Sequence, residues 1–368
     1  MILLITGGAG FIGSHFIRLV LEQRASYRVI NLDKLTYSGN LDSLRDVAER
    51  EEGKRYVFVQ GDVCEAGLVE DLFSGAHPLF HQITDLKPSR SERCPIDAVV
   101  HFAAESHVDR SIRDASAFFR TNVEGTRMLV ETARRYWGAK GAALGQGPHR
   151  FIQVSTDEVY GSLSPQDSPF REGSPLKPNS PYAASKAAAD LAVMAYNHTY
   201  HFPAIITRCG NNYGPHQHPE KFIPLFITNA LEDRRLPLYG DGQQVRDWIH
   251  VADHGSALLG ILERGQVGEI YNIGAHEEHA NREIAELIVR SLGKSSDLIF
   301  RVADRLGHDR RYALDATKIQ TALGWKAERS FFHGMESTIR WYQKHPAWWK
   351  RLKDETFWAY YREVYGSA

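Results

Sequence analysis

Short apolar runs rich in β-branched residues alternate with longer helical patterns through the first half of the chain. The runs cover Ile2 to Thr6, Arg28 to Asp33, Tyr56 to Gln60, Ala98 to Phe102, Phe151 to Ser155 and Ala204 to Arg208. This alternation predicts parallel strands joined by crossover helices, an α/β fold built on a doubly wound sheet. Ligands in that architecture bind outside the carboxyl ends of the strands, so residues at those ends carry the most information. Two segments, 77–95 and 138–149, read as surface excursions with no assigned chemistry. After Arg208 the regular alternation stops and Pro, Gly, Asn and His become frequent, which predicts a smaller, irregular α/β lobe that sets specificity. The aromatic-rich end, Trp341 to Tyr365, reads as a packed helix.

Composition narrows the function classes. The 368 residues carry 44 Lys+Arg against 45 Asp+Glu, a formal charge of −1, so electrostatic capture of nucleic acid or of an anionic membrane is not indicated. No apolar run approaches the ~20 residues of a membrane span, and Met1 to Ile5 leads directly into a glycine loop rather than a signal-peptide cleavage site, which predicts a cytoplasmic protein. Cys64, Cys94 and Cys209 form no CxxC and read as buried, reduced thiols.

The first strand runs straight into Gly7-Gly8-Ala9-Gly10-Phe11-Ile12-Gly13, and helical periodicity follows from Ser14. Strand, glycine loop and helix in that order are the context of a Rossmann dinucleotide site. Gly7 suits the tight turn, Gly10 lets backbone approach a pyrophosphate, and Gly13 permits close helix packing. Asp33 ends the second strand, where a carboxylate accepts hydrogen bonds from ribose hydroxyls and repels a 2′-phosphate, favouring NAD over NADP. The neighbouring cation of Lys34 would offset part of that repulsion. Asp62, after the third strand, suits either the adenine amino group or a helix N-cap.

Tyr182 and Lys186 stand four residues apart on one face of a helix whose start is marked by Ser180-Pro181. A lysine cation beside a phenol stabilises the phenolate and makes Tyr182 a feasible base for a sugar hydroxyl. Thr156 at the end of the fifth strand supplies a nearby hydroxyl. Asp157 and Glu158 follow at once. They read either as turn and cap residues or as an acid–base pair, and only an elimination requires such a pair, since hydride transfer to and from one carbon needs the tyrosine alone.

Thr6 to Gly13, Ala103 to Ser111, Ser155 to Gly161, Ser180 to Lys186 and Asn211 to Pro215 together resemble the dTDP-glucose 4,6-dehydratases, a family of extended short-chain dehydrogenases/reductases. The resemblance spans nearly the whole chain, and UDP-glucose 4,6-dehydratases are similar around Ser155 to Gly161. It implies a redox-neutral dehydration of a nucleotide hexose on one bound NAD, with Thr156, Asp157, Glu158, Tyr182 and Lys186 as catalytic residues. It extends the cofactor set beyond Gly7, Gly10, Gly13, Asp33 and Asp62 to Phe11, Ile12, Lys34, Val63, Ala103, Ala104, Ser106, Thr121, Tyr182, Lys186 and Asn212. It implies substrate contacts from Ser106, Thr156, Asn211, Lys221, Pro237, Tyr239, Arg246, Asn281, Arg305 and His308, among which two arginines and a histidine suit a diphosphate. Leu306 stands where that family usually has proline, so the ring's constraint is missing from this loop. A homodimer is implied by the resemblance alone. The expected division is 1–208, mainly NAD-binding, and 209–368, mainly nucleotide-sugar-binding, with some interleaving. His216 and His218 look like a chelating pair but lack a third ligand, so no metal is expected. The competing readings are a UDP-sugar 4,6-dehydratase, a 4-epimerase, which the Asp157-Glu158 pair disfavours, and a silent NAD-binding regulator.

Overall fold

A computed structural model describes residues 1–82, 94–138 and 148–366. The two expected surface excursions lie largely outside the described residues. Seven parallel strands form the main sheet: β1 (Ile2–Thr6), β2 (Arg28–Asp33), β3 (Tyr56–Gln60), β4 (Ala98–His101), β5 (Arg150–Thr156), β6 (Ala204–Cys209) and β10 (Ile270–Ile273). Across the sheet they run in the order β10-β6-β5-β4-β1-β2-β3. The strand order reverses between β1 and β4, which opens a crevice at their carboxyl ends. The first six strands match the expected runs to within a residue at each end. The seventh returns from the irregular half of the chain to pair with β6.

Successive strand residues face opposite layers, and both layers are apolar. Leu3, Ile5, Val29, Val100, Ile152 and Ile205 pack against α1 (Phe11–Gln23) and the helix Val251–Arg264. Leu4, Ile30, Val57, Val99, Phe151 and Ile206 pack against Ala66–Ser74 and Thr126–Gly138. The long helix α2 (Pro181–Tyr200) crosses behind β5 and β6.

The chain beyond β6 adds β7 (Asn211–Tyr213), β8 (Leu236–Tyr239), β9 (Val245–His250), β11 (Glu278–Ala280) and β12 (Ile299–Val302), arranged as the small sheets β11-β9-β7 and β12-β8. Their core unites Phe226, Leu238, Trp248, Ile288, Phe331, Tyr342, Trp349 and Phe357. The aromatic-rich end is three helices rather than one: Phe331–Lys344, Pro346–Lys350 and α3 (Glu355–Tyr365). Cys209 is buried, whereas Cys64 and Cys94 are only half-buried; none is in a disulfide.

One buried ion pair ties α2 to the sheet. The Arg208 guanidinium donates to Asp190 at 2.9 Å and to the Tyr160 hydroxyl at 3.0 Å, and that hydroxyl donates to Asn272 on β10 at 2.8 Å. Side-chain exposure is 2% for Arg208 and 0% for Asp190. Removing one partner from such a pair strands a charge in the interior. Asp190→Ala is therefore expected to lose about 3–5 kcal/mol of stability in denaturant unfolding, against at most ~1 kcal/mol for Glu70→Ala at the exposed pair with Arg135.

Candidate active site

The glycine loop folds as its sequence requires. Gly7 has φ +72°, and a Cβ there would fall 2.6 Å from the Ala103 backbone nitrogen, while one on Gly13 would fall 2.4 Å from the Gly7 carbonyl. Gly10 is the N-cap of α1, whose N-terminus has neither a side-chain cap nor an acidic first turn. Its free N–H groups thus face the crevice, ready for an anion.

One cleft runs along the carboxyl edge of β1, β2, β4 and β5. Its lining includes Gly7, Gly10, Phe11, Ile12, Gly13, Asp33, Lys34, Asp62, Val63, Ala103, Ala104, Ser106, Thr121, Tyr182, Lys186 and Asn212, together with Thr156, Asp157 and Glu158. A second cleft, lined by Ser106, Asn211, Lys221, Pro237, Tyr239, Arg246, Asn281, Arg305 and His308, adjoins the first. Ser106, Glu158, Asn211, Asn212, Gln217 and Lys221 border both. Sequence reasoning missed Thr36, Ser38 and Gly39 of the loop after β2, and Asp109, Glu220 and Tyr365 in the second cleft. Only Asp109 lay within a quoted motif.

Asp33 has a structural duty that its position alone does not reveal. Its carboxylate accepts the Ala9 N–H at 2.9 Å and the Leu35 N–H at 2.8 Å, binding the glycine loop to the end of β2. Burial raises its pKa against the pull of those two donors. Asp62 caps no helix: it accepts the Cys64 N–H at 2.9 Å and pairs with Lys34 at 2.8 Å. Lys34 is thereby committed to a carboxylate and is a poor partner for a 2′-phosphate.

Ser180 caps α2, accepting the Ala183 N–H at 3.1 Å, and sets Tyr182 and Lys186 one turn apart beside β5. The lysine does not turn to the phenol. Its ammonium donates to the Val154 carbonyl at 2.7 Å, and burial lowers its pKa while Asp190 raises it. The Tyr182 phenol is pushed well above its usual range by burial and by the Glu158 carboxylate, and the Thr156 hydroxyl works in the opposite direction. Thr156 also caps the single turn Asp157–Tyr160. The cap is therefore the threonine, which leaves both carboxylates free of that structural task.

Asp157 is 2% exposed, and its Oδ2 has no hydrogen-bond partner. Burial, then Glu158, then Asp247 drive its pKa well above the usual carboxylate range. Burial also raises Glu158, but Arg246, Arg305 and Lys221 pull it down. These adjacent carboxyl groups thus sit in different environments, with carboxylates acting most strongly on Asp157 after burial and cations on Glu158.

The cations of the second cleft already have partners. Arg305 forks onto Asp109, with contacts at 2.5 and 3.0 Å, and the Tyr239 hydroxyl donates to the same carboxylate at 3.3 Å. Arg246 donates to the Asp309 carbonyl at 2.9 Å, and Lys221 to the Ser106 carbonyl at 2.9 Å. Asp304 steadies the Leu306 loop by accepting from the Arg305 N–H at 2.8 Å and meeting His308 Nδ1 at 2.6 Å. This replaces the missing proline constraint, and Leu306 itself is 76% exposed. His216 and His218 diverge, the first packing on His15 and Trp341, the second on Tyr37.

The sequence profile of the NAD dependent epimerase/dehydratase family matches residues 3–274. The chain is 45% identical to dTDP-glucose 4,6-dehydratase of Streptomyces niveus over 96% of each chain, and 43% identical to dTDP-glucose 4,6-dehydratase 1 of Escherichia coli K12 over 99% of each. Among solved structures, DesIV of Streptomyces venezuelae, a dTDP-glucose 4,6-dehydratase with NAD bound, superposes with a TM-score of 0.85 at 46% identity, covering 96% of this chain and 100% of that one. UDP-glucose 4-epimerase of Thermus thermophilus superposes with a TM-score of 0.77 at 28% identity, covering 94% and 100%.

Replacing Asp33 by Ser is expected to weaken NAD binding and to relax the rejection of NADP. Adding Asp62→Asn frees Lys34 and should improve NADP affinity by a further factor of roughly five. Fluorescence titration of both cofactors checks this; wild-type protein that binds NADP as tightly as NAD would refute the assignment.

Proposed function

The chain belongs to the NAD dependent epimerase/dehydratase family, and from that premise we propose that it dehydrates dTDP-glucose to dTDP-4-keto-6-deoxyglucose. The observation that carries the reading is the Asp157-Glu158 pair, the first buried and the second half-buried, beside Tyr182 where the two clefts meet. A 4-epimerase shares the fold but has no use for an acid and a base at this point.

The glycine cradle, the uncapped N-terminus of α1 and the Asp33 carboxylate fit a dinucleotide. Bound NAD supplies the oxidant for C4 of the hexose and the reductant for C6. Tyr182 takes the proton from the 4-hydroxyl, and Thr156 steadies the phenol. The 4-ketone acidifies C5, whose proton Glu158 removes. Asp157, whose carboxyl is pushed well above the usual range by burial and by the Glu158 charge, gives its proton to the 6-hydroxyl, which departs as water. Because the acid form is required, elimination slows as pH rises through the folded pKa of Asp157. Lys186 lies on the cofactor side of the cleft, anchored to β5. Arg246, Arg305, Lys221 and His308 hold the diphosphate and sugar in the second cleft.

A cytoplasmic homodimer is the setting we assign. Among the described residues no helix is long and apolar enough to cross a membrane. Leu191 is 55% exposed on α2, and Phe119, which opens the helical segment Phe119–Gly125 packed against α2, is 45% exposed, so these helices offer apolar surface for a second copy. Leu191→Glu should shift sedimentation from twice the chain mass towards the monomer; unchanged dimer would move the interface elsewhere.

Three substitutions test the chemistry. Tyr182→Phe should lower turnover by about 10²- to 10⁴-fold without loss of fold. Glu158→Gln should still oxidise C4, so reduced-cofactor absorbance builds up with little product and little exchange of the C5 proton with solvent. Asp157→Asn should be slow with the natural substrate but recover much of its rate when C6 carries fluoride, which needs less protonation to leave. Wild-type C5 exchange in Glu158→Gln, or equal losses with both leaving groups in Asp157→Asn, would return the pair to a structural role.

A further inference from the structure

Behind the loop that follows β2 lies a cluster of side chains that the reaction above does not use. Thr36, Ser38 and Gly39 line the cofactor cleft, but Tyr37 between them does not. Its ring lies 4.1 Å from the guanidinium carbon of Arg110 and 5.7 Å, edge to face, from His218. Arg110 also lies 4.6 Å over the ring of Tyr360, on α3, and donates to Glu220 at 3.3 Å. The Glu220 side chain is 2% exposed, so this pair is well shielded on the carboxylate side. Both ends of the loop are tied to its own lobe through backbone groups: Leu35 N–H to Asp33, and Asn40 N–H to the Ala9 carbonyl at 2.9 Å. Tyr37, in the middle, is the residue that reaches across to the substrate side.

We propose that Tyr37 and Arg110 form a latch that keeps NAD on the enzyme through a complete turnover. Arg110, fixed by Glu220 and by the Tyr360 ring, holds Tyr37, and Tyr37 holds the 34–40 loop over the cleft. The need for such a latch follows from the redox-neutral cycle described under the proposed function, on which this inference rests. The two electrons taken from C4 are returned to C6, so a cofactor lost between those steps leaves a stranded keto sugar and no route to product. Glu220 adjoins Lys221, which borders both clefts, so the latch is anchored next to the substrate site. These are positioning residues: neither Tyr37 nor Arg110 has a role at the reacting carbons.

The test loads wild-type protein and the variants Tyr37→Leu, Tyr37→Phe, Arg110→Met and Arg110→Lys with labelled NAD and follows its release during a chase with unlabelled NAD. Thermal unfolding is measured alongside. Tyr37→Leu and Arg110→Met are expected to release NAD about ten-fold faster, the loss of a shielded cation–π contact. Tyr37→Phe, which keeps the ring and loses only the hydroxyl beside Glu220, should release it far more slowly than Tyr37→Leu, and Arg110→Lys, which keeps the charge but not the planar stack, should fall between wild type and Arg110→Met. Saturating NAD should restore much of the turnover of the fast-releasing variants. Wild-type release rates in Tyr37→Leu and Arg110→Met, or equal release from Tyr37→Leu and Tyr37→Phe, would overturn the latch. A wild-type protein that binds no NAD at all would instead overturn the functional reading beneath it.

Discussion

A buried carboxyl group with a half-buried one beside it at the end of a central strand is costly, and much of the surrounding architecture answers that cost. Among the described residues Asp157 has no cation in direct contact, and burial, Glu158 and Asp247 push its carboxyl well above the usual carboxylate range. Glu158, one residue later, faces the fields of Arg246, Arg305 and Lys221. Both residues lie in the single turn that follows β5, where successive side chains leave about 120° apart, so neighbours in sequence enter different environments. Tyr182 belongs to the same balance. The Glu158 charge suppresses ionisation of the phenol, leaving the Thr156 hydroxyl as the nearby group that favours it.

The support for that arrangement lies one layer back. Asp190 is the leading influence raising the Lys186 amine and is itself paired with Arg208, whose Tyr160 partner connects to β10. The seventh strand, contributed by the irregular half of the chain, thus takes part in fixing the helix that carries Tyr182 and Lys186. A strand contributed in this way ties the two halves of the chain together behind the site.

Local signals made the main sheet and the cofactor loop readable in sequence. Buried parallel strands are near-continuous apolar runs, and a glycine that must take φ +72° beside a close backbone neighbour is visible as a glycine. The seventh strand escaped because Ile270–Ile273 is four residues long and sits among turn-forming residues, where its partner strand rather than its own pattern decides its fate. Side-chain direction was equally out of reach. Spacing put Lys186 on the face of Tyr182, yet its ammonium finds the Val154 carbonyl. Tyr37, Arg110, Glu220 and Tyr360 meet only through the tertiary fold, and no short-range pattern could have joined them. The aromatic tail announced burial but not that Tyr365 would border the substrate cleft.

A common feature of the site's cations bears on what it selects. Lys34 is held by Asp62, Arg305 by Asp109, and Arg246 and Lys221 by backbone carbonyls. Donors fixed before the ligand arrives lose little conformational freedom on binding, which favours tight, well-oriented complexes. The same partners also raise the threshold for entry. A neutral hexose offers Arg305 nothing that Asp109 does not already supply, whereas a diphosphate brings charge enough to share the guanidinium while the carboxylate keeps it aimed. At Lys34 the adjacent Asp33 carboxylate repels a further phosphate, and the pair with Asp62 offsets part of the lysine's attraction for one. On the proposed reading, paired cations sort anions by charge and position, with a diphosphate taken by the second cleft and an extra phosphate rejected by the first.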